Sequence, residues 1–206
     1  MRDESMEMDL RERLSLIEGM IREGRRKTES WGWTFLLWGL AYMVAILWAS
    51  KGGAVSVWGR TTMAWPVTMI AAAILTIAIG SRKGKGEPGT TIARAIVSIW
   101  ISAGTSMILI FPALAISGRL DEHAFVAIVA GMLGIANGAS AMILKWKAQG
   151  ACAVIWWATS VAACFGSETQ LTVVFLAALF LCQIVFGIYA MMRESRRRGE
   201  GGVVHA

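Results

Sequence analysis

Residues 31–49 read WGWTFLLWGLAYMVAILWA, nineteen positions without a charge, and residues 22–27 just before them read REGRRK. A helix rising 1.5 Å per residue needs about this length to cross a hydrocarbon core of roughly 30 Å. Arg22, Arg25, Arg26 and Lys27 favour keeping that end in the cytoplasm. Trp31 and Trp33 at one end and Trp48 at the other suit the two interfaces, where an indole sits half in lipid and half in water. Five more apolar blocks follow. The stretch therefore decides the fold class: an all-α polytopic membrane protein, with a six-helix transmembrane bundle behind an N-terminal cytoplasmic amphipathic helix.

Composition agrees. Of 206 residues, 56% are hydrophobic and 17% charged, and the apolar residues come in long blocks rather than in the scattered pattern of a soluble core. The net charge of +6 would suit nucleic acid, but the cations gather at the ends of apolar blocks, so topology accounts for them and no nucleic-acid partner is expected. The primary partner is the lipid bilayer. Cys152, Cys164 and Cys182 all lie inside apolar segments. Cys152 and Cys164 would stand about 18 Å apart along one helix and cannot bridge, so the cysteines read as small apolar fillers. The charged region ahead of Trp31 is too long for a signal-peptide n-region, which makes the first span an uncleaved anchor.

Taken in order, residues 4–27 form an amphipathic helix. Met6, Leu10, Leu14, Ile17 and Ile21 recur every three or four positions on one face. Leu10, Leu14, Ile17 and Ile21 are the candidate cytoplasmic contact residues; the same row suits a helix lying on the inner leaflet. Residues 1–30 thus make the cytoplasmic segment and 31–192 the bundle. Its spans are expected near 31–49, 63–80, 92–117, 124–144, 151–165 and 170–192, with Pro66 in the first turn of the second. The span 151–165 is the weakest, either short and tilted or partly re-entrant. Residues 193–206 read as a disordered basic tail. With the N-terminus inside, fourteen juxtamembrane cations fall on inner segments, from Arg22 to Arg198, against Lys51, Arg60 and Arg119 outside. That bias requires the fifth block to cross and puts both termini in the cytoplasm.

An ionisable group at a span centre is expensive and marks function, and no predicted span centre here holds one. Proton-coupled transport, histidine-ligated haem and metal catalysis lack their residues, so no enzyme and no cofactor is expected. Asp121, Glu122 and His123 read as a solvated outer turn rather than a cation site. What remains is neutral. Asn137 and Gln183 lie within spans and should seek interhelical hydrogen bonds, or else line a solute path with Thr105, Ser106, Thr159 and Ser160. Gly131, Gly134 and Gly138 give the fourth span a small-residue face, fit for the most buried helix of the bundle or for a second copy of the chain. Gly138-Ala-Ser-Ala-Met and Gly187-Ile-Tyr-Ala-Met share a pattern that stacked hairpins would explain, as would chance.

The passage IEGMIREGRRKTESWGWTFLLWGLAYMVAILW, residues 17–48, resembles the start of a group of small bacterial membrane proteins that have a charged N-terminal helix, an LLWG-type first span and no assigned function. The stretch ILIFPALAISGRLDEHAFVAIVAGMLGIANGASAMILK, residues 108–145, is similar in layout to the hairpin of the acid-resistance membrane protein family, with its proline near the outer turn and its glycine-punctuated return helix. Both resemblances are to bacterial membrane proteins; neither implies an enzyme, and neither brings functional residues with it. The functional expectation is an accessory or interaction protein working through the N-terminal helix, with a small transporter or pore for a neutral solute as the alternative.

Overall fold

In the computed structural model, which describes residues 2–50, 60–83 and 91–202, the described residues form seven helices and no strand. They are α1 (Arg2–Glu29), α2 (Gly32–Ser50), α3 (Arg60–Lys83), α4 (Thr91–Ile116), α5 (Glu122–Leu144), α6 (Lys147–Ala163) and α7. The last is one continuous rod, built of Glu168–Leu179, a π-helical segment Phe180–Val185, and Phe186–Gly202. The loop expected over Lys51–Thr62, with its Trp58, and the basic link near Lys85 fall largely outside the described residues.

Five helices, α2, α3, α4, α5 and α7, are long and apolar enough to cross a membrane. α6 is shorter, 17 residues. It nevertheless runs back along the whole of α5. Gly150 lies against Ala141, Gly138 against Trp157 and Gly131 against Ser160, and His123 Nε2 stands 3.1 Å from the Gly166 carbonyl at the far end. The Ser160 hydroxyl fixes the register by donating to the Ala127 carbonyl at 2.8 Å. α2 lies between α3 and α7, and α5 between α4 and α6. Trp38 on α2 donates its indole N–H to Thr76 Oγ1 on α3 at 3.1 Å.

Two sequence expectations are corrected. α3 starts at Arg60, so Pro66 is interior to the helix rather than in its first turn; a membrane helix tolerates the lost backbone bond because neighbours can satisfy the freed carbonyl. The tail is helical as far as Gly202, because Arg193-Glu-Ser-Arg-Arg-Arg contains no breaker and mostly good helix formers, so α7 simply continues. Residues 203–206 lie outside the described residues.

The turns explain themselves chemically. α4 ends in a left-handed glycine, Gly118 at φ +67°, whose neighbours Ser117, Gly118 and Arg119 donate back to the carbonyls of Ala113, Ala115 and Leu114. Asp121 then caps α5 by accepting from the Ala124 N–H at 2.6 Å. At the other hairpin, Gln170 reaches back to accept from the Ser167 N–H at 3.0 Å and starts α7.

Two aromatic layers join the helices. In one, Phe35 on α2 meets Trp100 on α4 and Phe186 on α7, with centroids 5.5 and 4.9 Å away, and Trp146 packs tilted against Phe186. In the other, Trp65 and Phe111 both pack on Phe125, while Phe175 reaches Tyr42, Phe125 and Trp156. Ile70, Ile74 and Ile77 on α3 and Ile101, Ile108, Leu109 and Ile116 on α4 point outward and are exposed. Apolar surface on that scale belongs in lipid, not water.

Candidate functional site

The small-residue face of α5 is occupied from within the chain. A Cβ on Gly138 would lie 2.8 Å from Trp157 Cη2, and one on Gly134 would run into Trp157 Cδ1 and Nε1; Gly131 faces the Ser160 hydroxyl. The two glycines form the trough in which the Trp157 indole lies. α5 is the most buried of the five long helices, and the Trp157 indole lies on its small-residue face from within the chain. Another close backbone approach is elsewhere. Gly32 on α2 and Gly187 on α7 meet so tightly that a Cβ on either would stand about 3 Å from the other's carbonyl oxygen. Seven residues on, Gly39 admits the Cβ of Gln183, which sits in the π-helical segment.

Asn137 and Gln183 are both buried, Asn137 completely. The interhelical bond expected of Asn137 is replaced by a bond inside its own helix: Nδ2 donates to the Leu133 carbonyl at 2.8 Å. Its Oδ1 and the Oε1 of Gln183 accept no hydrogen bond. Two residues not singled out from the sequence share this state: the Ser140 hydroxyl, one turn from Asn137, and the whole amide of Gln149 on α6. The signal for both was their placement near span ends, where polar residues pass unremarked. Of the other suggested lining residues, Thr105 is exposed on α4, and Thr159 bonds back to the Ile155 carbonyl. Cys152 and Cys182 face each other across α6 and α7, with Cys182 Sγ 3.7 Å from the Cys152 carbonyl and both thiols free.

A leucine at 137 removes a buried acceptor that has no partner, so Asn137→Leu should leave stability unchanged or raise it by about 1 kcal/mol. Unfolding in mixed micelles reads this; a loss beyond about 2 kcal/mol would mean that the carbonyl is satisfied in the membrane-embedded protein.

On α1, Gly24 is buried. A Cβ there would lie 2.6 Å from Ile92 Cγ2 on α4 and 3.3 Å from Leu144 on α5, so this end of α1 is pressed to the bundle. Ile21, one turn earlier, is half-buried. Leu10, Leu14 and Ile17 remain exposed beyond it, alongside the Arg13–Asp9 ion pair. Asp121 caps α5 and His123 meets the Gly166 carbonyl in a part-buried contact, so the outer turn is packed rather than simply solvated. Among the described residues no group of three or more His, Cys, Asp or Glu converges on a metal-sized site.

These features define a class, the multi-pass helical membrane proteins, with five helices fit to span. Comparison with known protein families, with characterised proteins and with solved structures finds no match.

Proposed function

We propose that the chain is a non-catalytic accessory membrane protein, a six-span anchor in the bacterial plasma membrane that presents α1 to a protein partner in the cytoplasm. One observation carries this reading. Leu10, Leu14 and Ile17 are 49–56% exposed on a helix whose other end is clamped at Gly24. They stand at i, i+4 and i+7, the spacing with which an amphipathic helix fills a partner's groove. Covering them would stabilise a complex by about 25 cal/mol for each Å² removed from water. The excess of cations on one set of links supports the orientation, and the course of α6 along the full length of α5 supports a sixth crossing.

A photo-crosslinking residue at position 14, tested in native membranes, should give a discrete protein adduct. Leu10→Glu with Ile17→Glu should abolish it while insertion of the bundle is unchanged. Adducts to phospholipid alone, or a protein adduct indifferent to both glutamates, would overturn the proposal.

The buried, unpaired amide oxygens of Asn137, Gln149 and Gln183 favour a second reading, a small transporter or pore for a neutral solute. It requires flux in proteoliposomes that Asn137→Leu or Gln183→Leu reduces, and flux no greater than in empty vesicles would eliminate it.

A further inference from the structure

The turn between α5 and α6 opens onto a cleft of about 240 Å³ lined by Lys145, Trp146, Lys147, Ala148, Tyr189 and Arg193. Three of these six are cations, one is a phenol, and none is acidic. Arg193 NH1 donates to the Tyr189 hydroxyl at 3.3 Å, which holds the guanidinium over the cleft. The turn also contributes the start of α6. Its N-cap is Trp146, whose side chain makes no capping bond, so the first N–H groups of a 17-residue helix and the positive end of its dipole sit beside the lysines. Lys145 itself occupies left-handed backbone at φ +49°, a conformation that glycine or asparagine adopts at lower cost. This left-handed residue is the C-cap of α5, its N–H donating to the Ala141 carbonyl.

The volume is below the roughly 300–1,000 Å³ of sites that enclose a drug-sized molecule, and it suits a small, compact anionic group. A tetrahedral phosphate matches three cations and a row of N–H groups. Its source follows from position. Met142, one helical turn before the cleft on α5, and Ile188 and Met192 on α7 are exposed apolar residues, so the cleft lies where the apolar surface gives way to charge. In a bilayer that is the level of the headgroups, and basic pockets between helices at this depth take anionic lipid phosphates.

We propose that this cleft binds the phosphate of an anionic phospholipid headgroup. The full chain, reconstituted in phosphatidylcholine nanodiscs with or without phosphatidylglycerol, supplies the test, with bound lipid read by native mass spectrometry. The wild type should retain phosphatidylglycerol. Lys145→Asn combined with Lys147→Gln, where asparagine keeps the left-handed turn accessible, should lower that retention by roughly thirtyfold, two basic contacts being lost. Their melting temperature in phosphatidylcholine alone should be unchanged, which separates lost binding from lost folding. Arg196→Gln with Arg197→Gln removes the same charge from α7 outside the cleft and should retain the lipid. Equal loss in both double variants would reduce the effect to diffuse attraction and overturn the proposal. So would inorganic phosphate that stabilises the protein as well as phosphatidylglycerol does, since it would assign the site to a free anion.

Discussion

Gly187→Leu is expected to part α2 from α7 and destabilise the bundle by about 3 kcal/mol or more, the upper end of what overpacking costs. The atoms in the way explain the size of the effect. A Cβ at 187 would meet the Gly32 carbonyl oxygen at 3.0 Å and the Leu36 backbone nitrogen at 3.2 Å. From the other side, a Cβ at Gly32 would stand 2.9 Å from the Gly187 oxygen and from the Met191 nitrogen. Backbone cannot rotate aside as a side chain can, so the helices must separate. With them would go the edge-to-face contact of Phe35 with Phe186 and the fit of Gln183 over Gly39. Within a membrane such packing is most of what holds helices together, since lipid is as apolar as the helices themselves. Gly104→Leu is the control, because a Cβ there meets nothing within 4 Å. Both variants are read by reversible unfolding in mixed micelles. If they behave alike, the α2–α7 crossing does not hold the bundle.

How far such features could be foreseen depends on whether they are local. Helix length, apolar blocks and basic stops are properties of short stretches, so α2, α4 and α5 fall within a few residues of where the sequence puts them, and α7 starts within two but runs ten residues further. Pairing is not local. Gly32 and Gly187 are 155 positions apart, and nothing around either glycine names the other. Cys152 and Cys182 likewise each stand as a small filler in a separate apolar block, and only the packing of α6 on α7 brings them face to face. The tryptophans show the same limit. Those flanking the first span suit an interface, but Trp146 and Trp156 are buried and join the aromatic layers, a distinction that composition does not carry. The π-helical segment at Phe180–Val185 has no proline or glycine to announce it; it forms where Gln183 and Ile184 press into the space left by Gly39. In the candidate site, Gly131, Gly134, Asn137, Gly138 and Gln183 were legible as small or polar exceptions in apolar blocks. Their partners were not, because a partner is a matter of tertiary register.

The pairing of α5 with α6 can be measured as a coupling. Gly138→Ala should destabilise the protein by about 1–3 kcal/mol, since the new methyl would sit 2.8–2.9 Å from the six-membered ring of Trp157. Trp157→Ala alone should cost about 2 kcal/mol, less than the roughly 3–5 kcal/mol of a wholly buried tryptophan, because the indole is 42% exposed. In the double variant the nearest atom left to the methyl is the Ala153 Cβ at 3.5 Å, an ordinary contact. Alanine then contributes its advantage over glycine within a helix, about 1 kcal/mol, and the second substitution should be neutral or stabilising. The two changes are thus expected to be non-additive by about 1–4 kcal/mol, as directly touching residues are. Additive costs would mean that Trp157 does not lie in the glycine trough. The cycle also weighs the other use of a small-residue face. If Gly138→Ala left unfolding untouched but broke up an oligomer seen by mass in detergent, the trough would serve a second copy. The indole that fills it in the single chain argues for the opposite result: a less stable bundle of unchanged mass.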